Sequence, residues 1–185
     1  MNFQHITETK VKLRSYIEIY FTLTEYSDLR EFFNDWGPQI FLTGGCIGSM
    51  LRNEPINDYD FYFRSQDAIT AFEKFIADRM DLVKDVSDYC TTKVEGKCIT
   101  ANAITLKNTF QFIIGWVGHP DKVRAHFDYL HTTPYYDYYS NKLYISPGAL
   151  EAIMGKKLVV FNKESAERGK KNGRYDKLIK QGFTE

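Results

Sequence analysis

The sequence predicts an α+β fold, in which helices flank a central group of strands. Two patterns in the chain indicate this class. Apolar residues recur at helical spacing near both ends, whereas the segment from about 81 to 117 is made of strand-length runs. The chain has 185 residues, 43% of them hydrophobic. A chain of this size buries about 70% of its unfolded surface, so one domain over residues 1–185 is expected.

Helices are predicted where apolar spacing coincides with a start or stop signal. Residues 7–36 are interpreted as two helices. A further helix is expected over 66–79, with its apolar residues on one face. Another opens at Ser146-Pro147, since proline suits the first helical turn. The chain from about Lys163 predicts a basic terminal helix or helix pair.

Strands are predicted from short runs rich in β-branched and aromatic residues. The first two, 39–43 and 57–63, flank a Gly-Gly turn and a short helix over 46–52. Further strands, with hairpin turns at Glu95-Gly96 and Lys107-Asn108, are expected at 81–86, 88–94, 97–106 and 108–117. Shorter strand segments are predicted at 127–129 and 157–161.

Charge and composition exclude several classes of function. Lysine and arginine (24) balance aspartate and glutamate (24), so the chain is not expected to coat nucleic acid electrostatically. No apolar run reaches the roughly 20 residues of a membrane span, and the first residues lack a secretory signal. Three cysteines without a CxxC pair favour a reducing compartment, so a cytoplasmic location is expected. A local basic cluster lies near the end: Lys156, Lys157, Lys163, Arg168, Lys170, Lys171, Arg174, Lys177 and Lys180.

One segment, residues 41–63, carries the chemistry. Gly44-Gly45 joins a strand to a helix, and glycines there let the backbone approach a ligand without a Cβ in the way. The start of the following helix suits a phosphate group. Asp58 and Asp60 are two residues apart on the next strand and so face the same side. Paired carboxylates that share a hard cation such as Mg²⁺ with substrate phosphates indicate phosphoryl or nucleotidyl transfer.

This segment resembles the signature of the DNA polymerase β-like nucleotidyltransferase superfamily, which has a Gly-Gly or Gly-Ser turn, a helix and then Asp-x-Asp. It is most similar to the head domain of tRNA CCA-adding enzymes and bacterial poly(A) polymerases. A looser resemblance, over residues 111–129 and 165–183, is to small phage-encoded nucleotidyltransferase-like proteins. The resemblance implies a mixed sheet flanked by helices, an NTP donor and two Mg²⁺ ions, with Mn²⁺ as a substitute.

The resemblance also assigns the site residues. Asp58 and Asp60 are expected to hold both metals, and a third carboxylate on a neighbouring strand normally completes the site. Asp128, between two aromatic residues, is the predicted third ligand. The alternative is that Gln111 stands in the place of that acid, which weakens the metal site.

Nucleotide contacts are expected from both the motif and the basic terminus. Gly44 and Gly45 are predicted to bind the phosphates, helped by Ser49 and Arg52 on the following helix. In CCA-adding enzymes an Arg-Asp pair stands where this chain has Gly48-Ser49. Arg168 and Lys171, three residues apart and so on one helix face, are further candidates for contact with RNA or the triphosphate.

The domain is expected to comprise N-terminal helices (1–36), a catalytic core (37–130) and a helical, basic C-terminal extension (131–185). The predicted function is transfer of NMP from an NTP to a hydroxyl of an RNA 3′ end, a protein or a small molecule, by a two-metal mechanism. The alternative is a catalytically degenerate module that binds a nucleotide for a regulatory or anti-defence role. A structural protein without nucleotide is the third possibility.

Overall fold

The computed structural model describes residues 3–22, 26–86, 96–107 and 109–185. Six strands in these ranges form one sheet, in the order β3-β4-β2-β1-β5-β6. Their bounds are β1 Ile40–Thr43, β2 Tyr59–Phe63, β3 Ala103–Thr105, β4 Phe110–Val117, β5 Tyr135–Asp137 and β6 Lys142–Tyr144. β2 and β4 run parallel, and the other pairs are antiparallel. The sheet is therefore mixed, and the predicted α+β class is confirmed.

Helices flank the sheet, as the sequence predicts. Their bounds are α1 Phe3–Thr22, α2 Ser27–Trp36, α3 Gly45–Leu51, α4 Gln66–Ala77, α5 Pro120–Arg124, α6 Pro147–Met154, α7 Lys163–Lys171 and α8 Arg174–Lys180. Side-chain caps begin several of them. The hydroxyl oxygens of Ser65 and Ser146 accept from the N–H groups of Ala68 and Ala149, and Asn162 caps α7 in the same way.

The hydrophobic core lies on one face of the sheet. Phe61 and Phe63 of β2 and Phe112 of β4 are fully buried there. Phe72 of α4 stacks on Phe112, with ring centroids 4.1 Å apart. Because side chains alternate along a strand, the residues between these phenylalanines face the opposite side of the sheet. That opposite face carries the candidate site.

The C-terminal helices have a smaller core of their own. Its buried members are Tyr129, Leu158, Ala166, Leu178 and Phe183. The predicted strands 127–129 and 157–161 are isolated bridges instead: Tyr129 pairs with Val160, and Lys157 pairs with Thr184. These bridges fix α7 and α8 beside the sheet without extending it.

Of the predicted strand 97–106, only Ala103–Thr105 is a strand, whereas Lys97 and Ile99 form isolated bridges. Two further parts of the strand prediction differ from the structure. Residues 80–82 form a 3₁₀ turn, in which the Val83 N–H donates to Met80 O and is not available to a ladder. Val83 and Asp85 therefore make only single bridges. The second difference is the β5–β6 hairpin, which the sequence did not predict; its Tyr135 and Tyr144 rings stack 4.4 Å apart. The predicted strand 88–94 lies outside the described residues.

No helix in the described ranges combines the length and the apolar character that crossing a membrane requires.

Candidate active site

The turn from β1 to α3 is built around Gly44. Its φ of 94° and ψ of −159° are open to glycine and strained for other residues. A Cβ at this position would lie 2.8 Å from Oδ2 of Asp60. The Gly44 N–H donates to Thr132 O at 3.3 Å, which ties the turn to the segment before β5. Glycine is therefore required here both by the backbone angle and by the closeness of a carboxylate.

Strand pairing brings Asp60 to this turn. Thr43, the last residue of β1, is the antiparallel partner of Asp60 on β2. Asp58 lies just before β2 begins at Tyr59, so it precedes the strand and is not part of it. Both aspartates line one cavity with Gly44 and Gly45. The predicted glycine turn and the Asp-x-Asp pair thus meet at one place.

Asp60 has an unusual protonation equilibrium. Burial, with a further contribution from the nearby Asp58 carboxylate, raises its pKa to about 7. Arg174 and Lys177 act in the opposite direction but do not cancel the effect. Burial also raises the pKa of the neighbouring Cys46 thiol and of Tyr62. A cation bound between the two carboxylates would stabilise the charged form of Asp60, which burial and Asp58 disfavour.

Gln111 occupies the position beside Asp60 on the neighbouring strand. The two residues are register partners in the parallel β2–β4 pair. Gln111 lines the cavity, and its Nε2 donates to Thr105 Oγ1 at 3.1 Å. Among the described residues there is no group of three His, Cys, Asp or Glu side chains that could hold a metal. The candidate donor groups at this place are thus two carboxylates with a neutral amide beside them.

Asp128, the predicted third ligand, also lines the cavity, but its carboxylate has other partners. Its Oδ2 accepts from Arg174 Nε at 2.5 Å, and its Oδ1 accepts from the Tyr129 N–H at 3.0 Å. Its side chain is 7% exposed. The role of Asp128 as a metal ligand stays a prediction, whereas its contact with α8 is observed.

The cavity has a volume of about 460 Å³. One wall is the sheet and the Gly44 turn, and the other is formed by α7 and α8. The basic residues that line it are Arg168, Arg174 and Lys177, all exposed enough to meet a ligand. Positively charged side chains thus line the same cavity as the two carboxylates.

The other predicted phosphate contacts separate into two groups. Ser49 lines the cavity together with Arg168. Arg52 and Lys171 are not among the lining residues. The Arg52 guanidinium binds Glu54 at 2.8 Å and lies over the Phe183 ring, because the end of α3 packs against the C-terminal residues. Lys171 is exposed on α7.

Several lining residues are not identified by the motifs in the sequence. The sequence shows Arg174 and Lys177 only as members of the basic cluster, and it does not mark Tyr62 or Trp116 as site residues. His131 is buried against Phe183, with ring centroids 4.4 Å apart, and burial lowers its pKa to about 3. The available signals were the alternation along β2, which places Tyr62 on the face of Asp60, and the basic run of α8.

Comparison with known proteins places this geometry in context. A family model described as Gabija anti-defense 2 family protein matches residues 10–156. A search of proteins of curated function found no match.

Solved structures with a similar fold include a Thermotoga maritima CCA-adding enzyme complexed with tRNA. It is 10% identical with a TM-score of 0.53, and the match covers 90% of this chain and 38% of that one. A CCA-adding enzyme in an apo form is 11% identical with a TM-score of 0.50, covering 77% of this chain and 34% of that one. The chain therefore spans little more than a third of these relatives' length. The expected nucleotidyltransferase fold is confirmed by these matches.

Proposed function

The chain belongs to the Gabija anti-defense 2 family, and from the geometry of its cavity we propose that it is a nucleotidyltransferase. It transfers a nucleoside monophosphate from an NTP to a hydroxyl group. The observation that carries this proposal is the contact between Gly44 and Asp60. It brings two carboxylates and a Cβ-free stretch of backbone to one wall of a cavity whose other wall is basic.

The basic wall suits the triphosphate. Arg168 and Lys177 lie on α7 and α8, and Ser49 supplies a hydroxyl from α3. Charged donors bind phosphate oxygens more strongly than neutral ones. The Asp128–Arg174 pair holds α8 beside the sheet, and Lys177 of that helix lines the cavity with the two carboxylates.

Asp58 and Asp60 are the residues that would hold Mg²⁺ or Mn²⁺. Magnesium is commonly bound by one or two carboxylates together with substrate phosphates, and this donor set fits that pattern. When bound, such an ion neutralises charge that develops on the phosphate oxygens. We propose that the ion enters with the nucleotide, since Gln111 is neutral and Asp128 is engaged by Arg174.

The reaction forms one bond and breaks one. The acceptor hydroxyl oxygen attacks the α-phosphorus, and the bond from that phosphorus to the oxygen bridging to the β-phosphate breaks. Pyrophosphate leaves with the bonding electrons, and the hydroxyl proton passes to solvent or to a nearby base.

The acceptor is proposed to belong to a defence system. The family description names an anti-defence role, and transfer of a nucleotide to a protein or RNA hydroxyl is a way to inactivate a component of such a system. The chain spans little more than a third of the length of these structural relatives, so we do not propose tRNA as its acceptor.

The test is an incubation of the full chain with Mg²⁺, each α-labelled NTP, and lysate of cells that carry the defence system. We expect a labelled macromolecule, and digestion with protease or ribonuclease identifies it as protein or RNA. Asp58→Ala and Asp60→Ala should each abolish the labelling while the fold persists. Labelling that survives both substitutions would reject the assignment.

The second candidate function is nucleotide binding without transfer. The neutral Gln111 at the register position beside Asp60 favours it, because a third acid is missing from that position. Binding of NTP and Mg²⁺ with stabilisation of the fold, but with no labelled product from any acceptor, would support this candidate over transfer.

A further inference from the structure

An irregularity in β4 changes the direction of its last residues. β2 and β4 keep register up to the pair Tyr62–Ile113, but the next residue, Phe63, pairs with Val117. Ile114, Gly115 and Trp116 are therefore extra residues on β4. A bulge of this kind bends the strand and redirects a side chain, and such bulges are frequent next to active sites.

Gly115 allows the bulge to form. The N–H groups of Ile114 and Gly115 both donate to Asn102 O, at 2.8 and 3.0 Å. A Cβ on Gly115 would lie 2.6 Å from Oδ1 and 3.0 Å from Cα of Asn102. The close contact with Asn102 thus depends on glycine, and it fixes the position of the residue that follows.

That residue, Trp116, lines the cavity and is 40% exposed. Its ring lies 4.6 Å from the His126 ring, between centroids. Tyr62 and Phe127 line the same part of the cavity, with their ring centroids 6.1 Å apart. We call Tyr62, Trp116, His126 and Phe127 the aromatic end of the cavity. A large apolar side chain left open in a mostly polar cavity indicates a surface for a flat ligand.

The aromatic end continues directly from the carboxylates. Asp60 and Tyr62 are two apart on β2 and face the same side of the sheet. A nucleotide has its phosphates and its base at opposite ends of one molecule. The cavity, at about 460 Å³, lies in the size range of sites that bury a whole small ligand.

We propose that the β4 bulge presents Trp116 as the stacking platform for the base of the bound NTP. This inference rests on the proposed function, because it takes the carboxylate end of the cavity as the triphosphate site. Stacking on an aromatic ring is tolerant of base identity, so Trp116 supplies affinity and orientation for the base. The base is thereby held at a fixed distance from the phosphates.

The test uses intrinsic tryptophan fluorescence and two kinds of ligand, one with a base and one without. The chain has two tryptophans, so Trp36→Phe leaves Trp116 as the single reporter. We expect Mg²⁺ with ATP, GTP, CTP or UTP to quench this fluorescence, whereas Mg²⁺ with inorganic tripolyphosphate binds with little quenching. In the otherwise unchanged chain, Trp116→Ala should weaken NTP binding by about 5- to 150-fold. Its affinity for tripolyphosphate should change by less than about twofold.

Matched variants separate stacking from general damage. Trp116→Phe should restore most of the NTP affinity, since phenylalanine also stacks. Tyr139→Ala removes an exposed aromatic ring that does not line the cavity, and it should leave affinity for both ligands unchanged.

Each other outcome rejects a distinct claim. Unchanged NTP affinity in Trp116→Ala, or an equal loss for NTP and tripolyphosphate, would overturn the stacking platform and leave the nucleotidyltransferase proposal standing. Absence of tripolyphosphate binding to the wild-type chain would overturn the phosphate site itself, and the base platform with it.

Discussion

Asp128 and Arg174 are 46 residues apart in the chain, and their side chains meet at 2.5 Å between Oδ2 and Nε. The carboxylate is buried, whereas the guanidinium is half exposed in the cavity. The segment before β5 is thereby linked to the start of α8. Gly169 of α7 lies close by, since a Cβ there would be 3.3 Å from the same Asp128 oxygen.

This contact predicts how Asp128 variants behave. If Asp128 positions α8, Asp128→Asn and Arg174→Gln should each lower the free energy of unfolding by about 1–3 kcal/mol, because a buried charge-assisted hydrogen bond is lost. Both should raise the KM for NTP. Chemical denaturation and steady-state kinetics measure the two effects, and the double variant should cost little more than either single one.

The alternative role for Asp128 gives a different result. A metal ligand would make Asp128→Asn abolish kcat while Arg174→Gln retained it. Additive effects on stability, with loss of kcat only in the aspartate variant, would contradict the positioning role.

The Gly44 turn gives a second prediction. Gly44→Ala should lower the free energy of unfolding by about 1–3 kcal/mol, because alanine is strained at this φ and its Cβ would press on Asp60. Gly45→Ala is the matched comparison for stability. Nothing lies within 4 Å of a Cβ there, and alanine in a compatible conformation stabilises by about 0.4–1 kcal/mol. Thermal unfolding at equal pH compares the stability of the two variants. Equal stability of Gly44→Ala and Gly45→Ala would show that the turn does not require glycine at position 44.

Asp60 gives a third prediction, for pH. Its pKa of about 7 in the folded chain lies above the ordinary value of 3.8, so the folded chain holds a proton that the unfolded chain releases between these values. The resulting stability is complete below about pH 4 and is lost as pH rises through about 7.

Asp60→Asn should remove the pH-dependent contribution of Asp60 to the free energy of unfolding. At pH 8 and without divalent ions, we expect the variant to be more stable than the wild type, on the order of 1–2 kcal/mol. Denaturant unfolding from pH 5 to pH 8 in EDTA measures the difference. Parallel stability curves for the two proteins across that range would show that Asp60 titrates normally.

The basic wall of the cavity gives a fourth prediction. Arg168→Gln should weaken binding of NTP by about 5- to 20-fold, as expected for loss of a charged contact with phosphate. Lys171→Gln makes the same change of charge on the same helix but outside the cavity, and it should leave affinity within about twofold. Calorimetric titration with Mg²⁺ and NTP compares them. Equal losses in both variants would mean that only net charge matters.

Local patterns in the sequence predicted the central motif well. The Gly-Gly turn, the short helix and Asp60 are linked by fewer than 20 residues, so strand alternation and turn chemistry were enough to predict their meeting. The β1–β2 register, which pairs Thr43 with Asp60, is the physical reason.

Long-range pairing set the limits of that prediction. Whether Gln111 or Asp128 stands beside Asp60 depends on the β2–β4 register and on an ion pair across 46 residues, and neither leaves a local signal. Arg52 is expected at the phosphates from its place at the end of the predicted helix over 46–52. In the structure its guanidinium contacts Glu54 and the Phe183 ring instead. Phe183 is distant in the sequence, so no local pattern predicts this contact.

The position of Trp116 also depends on a long-range contact that the sequence does not predict. The sequence predicts one continuous strand over 108–117, and a regular strand gives no reason for Trp116 to reach the cavity. The bulge depends on the contact between Gly115 and Asn102 in the preceding turn. An isolated glycine in a strand pattern was the only local sign of it.

The most direct test of the account follows the two ends of one nucleotide. The chain is incubated with Mg²⁺, defence-system lysate and an NTP labelled on either the α- or the γ-phosphate. Relative to lysate without the chain, we expect additional α-label on a macromolecule, additional γ-label only in pyrophosphate, and neither increase with Asp60→Asn. Chain-dependent transfer of the γ-label, or unchanged transfer of α-label by Asp60→Asn, would contradict nucleotidyl transfer at this site.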